Sequence, residues 1–330
     1  MTVADADKGF TGGGGKLMVS AGIRIMSTSE AADALLDCLV IGAGPAGLTA
    51  ATYLARYRRT VRVIDGGRSR ARWIPASHNC PGFPFGVAGN ELLQRFRTQA
   101  EQFGVAIVPA QVETLARTAE GFVATGGGER WRARQVILAT GVVDRLPEID
   151  EVEQAIACGA LRLCAVCDGY EARDDAIGVL GTADTALGHA QFLRTFSGRV
   201  TVLLDEAQAP VDEALRQRAG AHGIGWRGTP AHLRLRDGGC EATFADGSVE
   251  RYDTLYPVLG ADAQSDLAQA LGARLDEGGE LRVDAHMQTS VEGLYAIGDV
   301  VSGLNQISVA VGHAALAATA VHRALPANPR

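Results

Sequence analysis

The stretch whose reading decides the fold is Cys38-Leu39-Val40-Ile41-Gly42-Ala43-Gly44-Pro45-Ala46-Gly47. Its first four residues form the short apolar run of a buried parallel strand. Gly42-x-Gly44-x-x-Gly47 stops that strand at once, and Leu48 to Tyr57 supplies the small and apolar residues of a helix packed close to a sheet. Each glycine has a task. Gly42 makes the tight turn, Gly44 lets a pyrophosphate approach the backbone, and Gly47 lets helix and strand pack closely. The start of this helix offers free N–H groups and partial positive charge to phosphates. A second strand, Arg62-Val63-Ile64, ends in Asp65, 18 positions after Gly47. That carboxylate can accept hydrogen bonds from a ribose diol. The plainer rival is a glycine turn in some other α/β protein, but strand, helix and acid together favour a dinucleotide site. The motif alone does not separate FAD from NAD.

The same alternation recurs further along. Val136 to Gly141 is another buried strand with a glycine stop, and Ala176 to Leu180 opens a second strand–turn–helix unit continued by Val200 to Leu204. Leu294-Tyr295-Ala296-Ile297 is a late strand stopped by Gly298-Asp299, and a helix of small residues runs from about Ile307 to Ala324. This pattern predicts an α/β fold with parallel sheets. A carboxylate at Asp299 suits ribityl and pyrophosphate-side groups. The helix start after Asn305-Gln306-Ile307 suits negative charge at one edge of a reduced flavin, so the late segment points to FAD.

The chain has 330 residues, which at ordinary domain sizes means about two domains. Its net charge of −7 argues against a nucleic-acid footprint or a polybasic membrane patch. No apolar run reaches the roughly 18–20 residues that span a bilayer, and the start lacks the layout of a signal peptide. These features predict a cytoplasmic protein. The only lysines are Lys8 and Lys16, so no Schiff-base lysine is available in the folded body. Residues 1–33 read as a flexible leader. The run Gly12-Gly13-Gly14-Gly15-Lys16 lacks both a preceding strand and a following Ser or Thr, so it is not a phosphate loop.

Six cysteines include one close pair, in Cys164-Ala165-Val166-Cys167-Asp168. Two cysteines three apart at a helix start can close a small, reducible disulfide, and the helix start can lower a thiol pKa. Half of a zinc site is the rival, but Cys38, Cys80, Cys158 and Cys240 are scattered singly and the seven histidines form no ligand spacing. No metal site is expected. Redox chemistry is the better reading.

These pieces together resemble the low-molecular-weight thioredoxin reductases. The resemblance is carried by Val40 to Gly47, Asn79-Cys80-Pro81-Gly82, Ala139-Thr140-Gly141, Cys164 to Gly169 and Gly293 to Asp299, and covers about residues 36–325. It implies two Rossmann-like, three-layer nucleotide-binding domains, the second inserted into the first. The FAD-binding domain would be 34–143 and 259–330, and the inserted domain, with the cysteine pair, 144–258. It also implies FAD held by Gly42, Gly44, Pro45, Ala46, Gly47, Asp65, Gly66, Asn79, Val112, Thr140, Gly141, Gly298, Asp299, Gln306 and Ile307. Within the family's scheme Cys167 faces the flavin, Cys164 meets the partner disulfide, and Asp168 is the acid/base for the leaving thiolate. A thioredoxin-like protein or a small disulfide or dithiol is the implied partner, and a homodimer the implied assembly. A flavin-dependent dithiol oxidase, passing electrons from a small molecule or peptide to oxygen, is the alternative; its usual histidine after the second cysteine is here Asp168.

One region departs from the family. The second glycine turn reads Gly181-Thr182-Ala183-Asp184-Thr185-Ala186, so a methyl group and a carboxylate stand where pyrophosphate should approach. Where relatives that use NADPH carry a basic cluster for the 2′-phosphate, this chain has Leu204-Asp205-Glu206. A like charge at 4 Å costs about 1–4 kcal/mol between bulk-water and surface dielectrics. NADPH binding is therefore disfavoured, NADH is left open through Asp205, and the electron donor is unassigned. In this the chain resembles the NADPH-independent, "deeply rooted" branch of the family.

Overall fold

The protein is described here by a computed structural model covering residues 34–205, 212–301 and 303–329. The leader read at 1–33 and the acidic position Glu206 lie outside the described residues.

The first sheet grows around the quoted stretch. In chain order it is built from β1 (Leu35–Ile41), helix α1 (Pro45–Arg56), β2 (Val61–Asp65), α2 (Gly89–Gln102), β3 (Ala106–Pro109), β4 (Thr114–Thr118), β5 (Gly121–Gly126) and β6 (Glu129–Leu138). β1 lies between β2 and β6, parallel to both, with Val40 opposite Val63 on one side and Ile137 on the other. Strands covered on both faces need apolar residues at nearly every position, and Cys38, Val40, Val63, Ile137 and Leu138 are all buried. β6 is long. Its first half pairs antiparallel with the β4–β5 meander, and its last three residues pair parallel with β17 (Leu294–Ala296), which arrives from the far end of the chain.

Between these visits the chain leaves the first sheet. It passes through β7 (Val142–Asp144) and β8 (Ile149–Asp150), the short helices α3 (Val152–Ala157) and α4 (Ala165–Asp168), and then β9 (Ala176–Gly181), α5 (Ala183–Leu193) and β10 (Arg199–Leu204). After α6 (Glu213–Ala221) come β11 (Gly225–Arg227), β12 (Pro230–Arg236), β13 (Gly239–Phe244), β14 (Val249–Tyr252) and β15 (Thr254–Pro257). A parallel sheet in the order β11-β10-β9-β15 and a second sheet β14-β13-β12-β8 result. The return runs through β16 (Ala261–Ala263), which pairs antiparallel with the outgoing β7, so the two crossings are hydrogen-bonded to each other.

After α7 (Asp266–Gln269) and β17 the chain ends in α8 (Ile307–Ala324). Ala310, Ala314, Ala317 and Ala318 on that helix are buried in the same core as Ala46, Ala50 and Ala51 of α1. Side chains this small let two helices approach closely over one sheet. The α/β fold with Rossmann-like sheets is therefore as expected. Among the described residues no helix is long and apolar enough to cross a membrane.

Candidate functional site

A single cleft, with an empty volume of ≈ 1740 Å³ including its open mouth, runs over the C-terminal ends of β1, β2, β6 and β17. In open α/β sheets that edge is where ligands bind. Of the residues assigned to FAD or catalysis from the sequence, the cleft wall gathers Gly42, Gly44, Pro45, Ala46, Asp65, Gly66, Asn79, Val112, Thr140, Gly141, Gly298, Asp299, Gln306 and Ile307, together with Cys164, Cys167 and Asp168. Gly47 is not part of the wall. A Cβ there would stand 1.9 Å from the Gly42 carbonyl oxygen, so it serves the packing beneath the turn.

The turn itself has the shape of a phosphate cradle. Gly42 has φ +109°, and a Cβ on it would meet the Ala139 carbonyl oxygen at 2.2 Å. At Gly44 a Cβ would meet only Ser69 Oγ, at 3.4 Å, so the backbone is open towards the cleft. α1 starts without a side-chain cap, and so does α8 behind Gln306. Two long helices thus point unsatisfied N–H groups at one cavity, an arrangement that favours anions. At one end, Asp65 Oδ1 accepts from the Gly67 N–H at 2.8 Å, while Oδ2 pairs with Arg97. These features fit FAD: an acid for the ribose, an open glycine turn for the pyrophosphate, and a helix start further along.

Asp299 sits in the same wall. Burial pushes its carboxyl above the usual carboxylate range, and Arg70 opposes that shift. Arg70 NH1 lies 3.8 Å from Asp299 Oδ2, and Nε and NH2 make a bidentate pair with Asp144 at 2.6 and 2.8 Å. Arg70 therefore ties the cleft to β7, the outgoing crossing. Thr140 binds the other crossing, its hydroxyl donating to the Gln264 carbonyl at 2.6 Å.

Cys164 and Cys167 form a disulfide in the cleft wall. Cys164 is the N-cap of α4, and its sulfur accepts from the Cys167 N–H at 3.2 Å. The Gln306 side-chain amide donates to both sulfurs, at 3.5 Å to Cys164 and 3.2 Å to Cys167. Asn79 in turn donates to Gln306 Oε1 at 2.9 Å, and Ser77 donates to Asn79 Oδ1 at 3.1 Å. Two residues assigned to the flavin thus meet the disulfide through one hydrogen-bonded chain. Asp168, next in sequence, accepts from the Tyr256 hydroxyl at 2.9 Å and pairs with Arg162 at 3.3 Å. Its carboxyl lies above the usual range because of burial, against the opposing pull of Arg162 and Tyr256.

The remaining cysteines are free. Cys38, Cys80 and Cys240 are buried, and burial raises all three thiols, Cys240 to about 12. Cys158 is exposed. Among the described residues no group of three or more His, Cys, Asp or Glu side chains could hold a metal ion.

The second turn is a different object. α5 begins at Ala183, and Asp184 in its first turn is exposed and 3.6 Å from Arg218. Asp205, at the end of β10, has a buried Oδ1 with no hydrogen-bond partner.

Comparison with known proteins agrees with this geometry. The family model described as pyridine nucleotide-disulphide oxidoreductase matches residues 36–314. The chain belongs to that family. It is similar to a thioredoxin reductase of Streptomyces coelicolor, at 31% identity over 282 residues, covering 80% of this chain and 86% of that protein. Among solved structures, the thioredoxin reductase from Streptococcus pyogenes superposes with a TM-score of 0.80 at 28% identity, over 88% of this chain and 98% of the other. HlmI superposes with a TM-score of 0.81 at 29% identity, over 88% and 92%. The chain is a flavin disulfide oxidoreductase of the thioredoxin-reductase type.

Arg70, Arg97, Arg162, Tyr256 and Ser77 escaped the sequence reading. Arg70, Arg97 and Tyr256 act through partners far away in sequence, whereas Ser77 and Arg162 act on the nearby Asn79 and Asp168.

Proposed function

We propose that the enzyme carries electron pairs between FAD in the cleft, the Cys164–Cys167 pair and the disulfide of a thioredoxin-like protein, with a donor other than NADPH. The observation that best supports this is the position of the disulfide, in one wall of the cavity that the open turn at Gly44 and the acid at Asp65 also line. In this reading 34–143 and 259–330 hold the cofactor and 144–258 carries the cysteines, in a cytoplasmic homodimer.

FAD, once bound, supplies the two-electron exchange with the disulfide. Gly42, Gly44 and the start of α1 would hold its pyrophosphate, Asp65 its ribose, and Asp299 its ribityl side. The protein groups do the rest. The Cys164 thiolate attacks one sulfur of the partner disulfide, forming a mixed disulfide and releasing a partner thiolate, which takes a proton from the Asp168 carboxyl. Asp168 then removes the Cys167 proton. The Cys167 thiolate attacks Cys164 Sγ, closing the internal disulfide, and the second partner thiolate leaves and takes that proton. Two electrons and two protons pass to the partner. A leaving thiolate of ordinary basicity gains most from this proton delivery.

Three features support a donor other than NADPH. Ala183 occupies the middle glycine position, Asp184 adds an anion to the first turn of α5, and Asp205 stands where a 2′-phosphate would need a cation. Anaerobic titration of the FAD-loaded protein tests the reading. Flavin absorbance should bleach with a dithiol and stay unchanged with sub-millimolar NADPH, and the NADH arm decides the role of Asp205. Prompt bleaching by NADPH would overturn the donor assignment. Hydrogen peroxide released stoichiometrically from a dithiol in air, with no reduction of a thioredoxin, would replace the reductase by a dithiol oxidase.

A further inference from the structure

We infer that Tyr256 and Arg162 are positioning residues for Asp168, the first hydrogen-bonded to one carboxylate oxygen and the second ion-paired with the other, so that the group is held where it serves the cysteine pair. The inference rests on the acid/base role given to Asp168 above.

Tyr256 is 1% exposed and lies on β15 opposite Val179 of β9, among Ala165, Ile177, Val179 and Leu187. A hydroxyl in such a place costs free energy unless it has a partner. The partner is Asp168 Oδ1 at 2.9 Å, on an element 88 residues away in sequence. Arg162 reaches Oδ2 at 3.3 Å from the opposite side of the sequence. One piece of backbone fixes both residues. Leu161 bridges Leu255, and the Arg162 N–H donates to the Leu255 carbonyl at 2.9 Å, immediately before Tyr256. Arg162 Nε is buried without a partner, so the guanidinium is not placed to satisfy all its own donors.

The charged surroundings are few. Arg162, Tyr256 and Glu171 act on Asp168; Asp175 also acts on Tyr256, and Asp175 is itself influenced by Asp253, Arg199 and Asp174. Burial raises the Asp168 carboxyl, while Arg162 first and Tyr256 second stabilise the carboxylate. Removing either donor must therefore move the carboxyl further up, Arg162 by more.

The test compares leaving groups. FAD-loaded protein, reduced with dithionite under anaerobic conditions, is mixed in a stopped-flow cell with glutathione disulfide or with 5,5′-dithiobis(2-nitrobenzoate). The aromatic thiolate leaves without needing a proton, whereas the alkyl thiolate needs one. Asp168→Asn should slow glutathione disulfide reduction by about 10²-fold or more, the lower end for a lost acid/base, and the aromatic disulfide far less. Tyr256→Phe and Arg162→Met should slow the alkyl disulfide by roughly 3-fold and 10-fold, leave the aromatic one near wild type, and move the Asp168 limb of the pH–rate profile upwards. Flavin retention checks the fold of each variant. Equal slowing of both disulfides, or an unmoved pH limb with wild-type rates in Tyr256→Phe and Arg162→Met, would overturn this inference while leaving Asp168 as acid/base. Wild-type alkyl rates in Asp168→Asn would instead overturn the role of Asp168 on which it rests.

Discussion

The turn after β1 and the turn after β9 share their construction: a buried parallel strand, a glycine stop, and a helix that starts without a side-chain cap. They differ in what fills the space in front of the helix. At the first turn Gly44 leaves it open and α1 has no acidic residue in its first turn. At the second, Ala183 is already helical and Asp184 puts a negative charge where the helix would attract one. The difference separates two properties that are easily run together. Topology provides a helix start at a strand end, and it survives in both places. Anion binding needs an open backbone and an uncompensated partial charge, and only the first turn has both.

The largest effect should come from closing the first turn. Gly42→Ala places a methyl group 2.2 Å from the Ala139 carbonyl oxygen at φ +109°. Backbone strain of about 1–3 kcal/mol and overpacking of about 1–3 kcal/mol then fall on the same residue. Retention of FAD through gel filtration should drop by two orders of magnitude, or soluble protein should be lost altogether. Gly181→Ala is the control. Its added Cβ meets Val258 Cγ2 at 2.6 Å and the Val258 carbonyl oxygen at 3.1 Å, a milder clash than the backbone contact at Gly42. Flavin content should be unchanged, with stability lower by about 1 kcal/mol. Equal loss in the two variants would erase the comparison.

A smaller effect, with a pH signature, belongs to Asp299. Burial raises its carboxyl in the folded protein. The folded state therefore holds a proton that the unfolded state has released, over the window from about pH 3.9 up to the raised folded value. Stability conferred at this position is full below that window, is lost as pH rises through it, and stays lost above it. Asp299→Asn removes the dependence. Denaturation midpoints of the FAD-free variant should gain on the wild type from acid to neutral pH, while its FAD affinity falls roughly 10- to 100-fold, the range for a lost charged hydrogen bond of about 1.5–3 kcal/mol. A variant that tracks the wild type at every pH would show that Asp299 carries no cost of this kind.

How much of this was legible follows from what each feature depends on. β1, β2, the last residues of β6 from Val136, β9, β10 and β17 were readable because strands buried on both faces are short apolar runs ended by glycine or an acid; the first half of β6, part-exposed, was not. α8 was readable from its run of small residues, and the cysteine pair from its spacing. β12 and β14 were not, because their exposed faces carry Arg234, Arg236 and Arg251 and leave too little apolar signal. Within the site, the turn and the disulfide are local in sequence. Arg70 meets Asp144 across 74 residues and Tyr256 meets Asp168 across 88, so each pairing is chosen by the way the fold packs a helical turn against a strand. Gln306 was assigned to the cofactor by the family resemblance. Its contact with both sulfurs needed the packing of the cysteine-bearing segment against that helix start.

The smallest effect would come from reopening the second turn. Ala183→Gly removes the methyl group at the helix start, and Asp184→Ser removes an exposed carboxylate already partnered by Arg218. Because that carboxylate faces water, its repulsion of a phosphate amounts to about 1 kcal/mol or less. The double variant should bind NADH about tenfold more tightly than the wild type by calorimetry, the factor that corresponds to 1.4 kcal/mol. On the proposed reading, in which Asp205 would meet the 2′ position, NADPH should gain less, because a phosphate there would lie against a carboxylate with a buried, unpaired oxygen. If both nucleotides gained equally, Asp205 would have no part in the selection. If neither gained, the obstacle would lie in the strand end rather than in the turn, and the difference between the two turns would have to be sought one residue row deeper, at Gly181 and Val258.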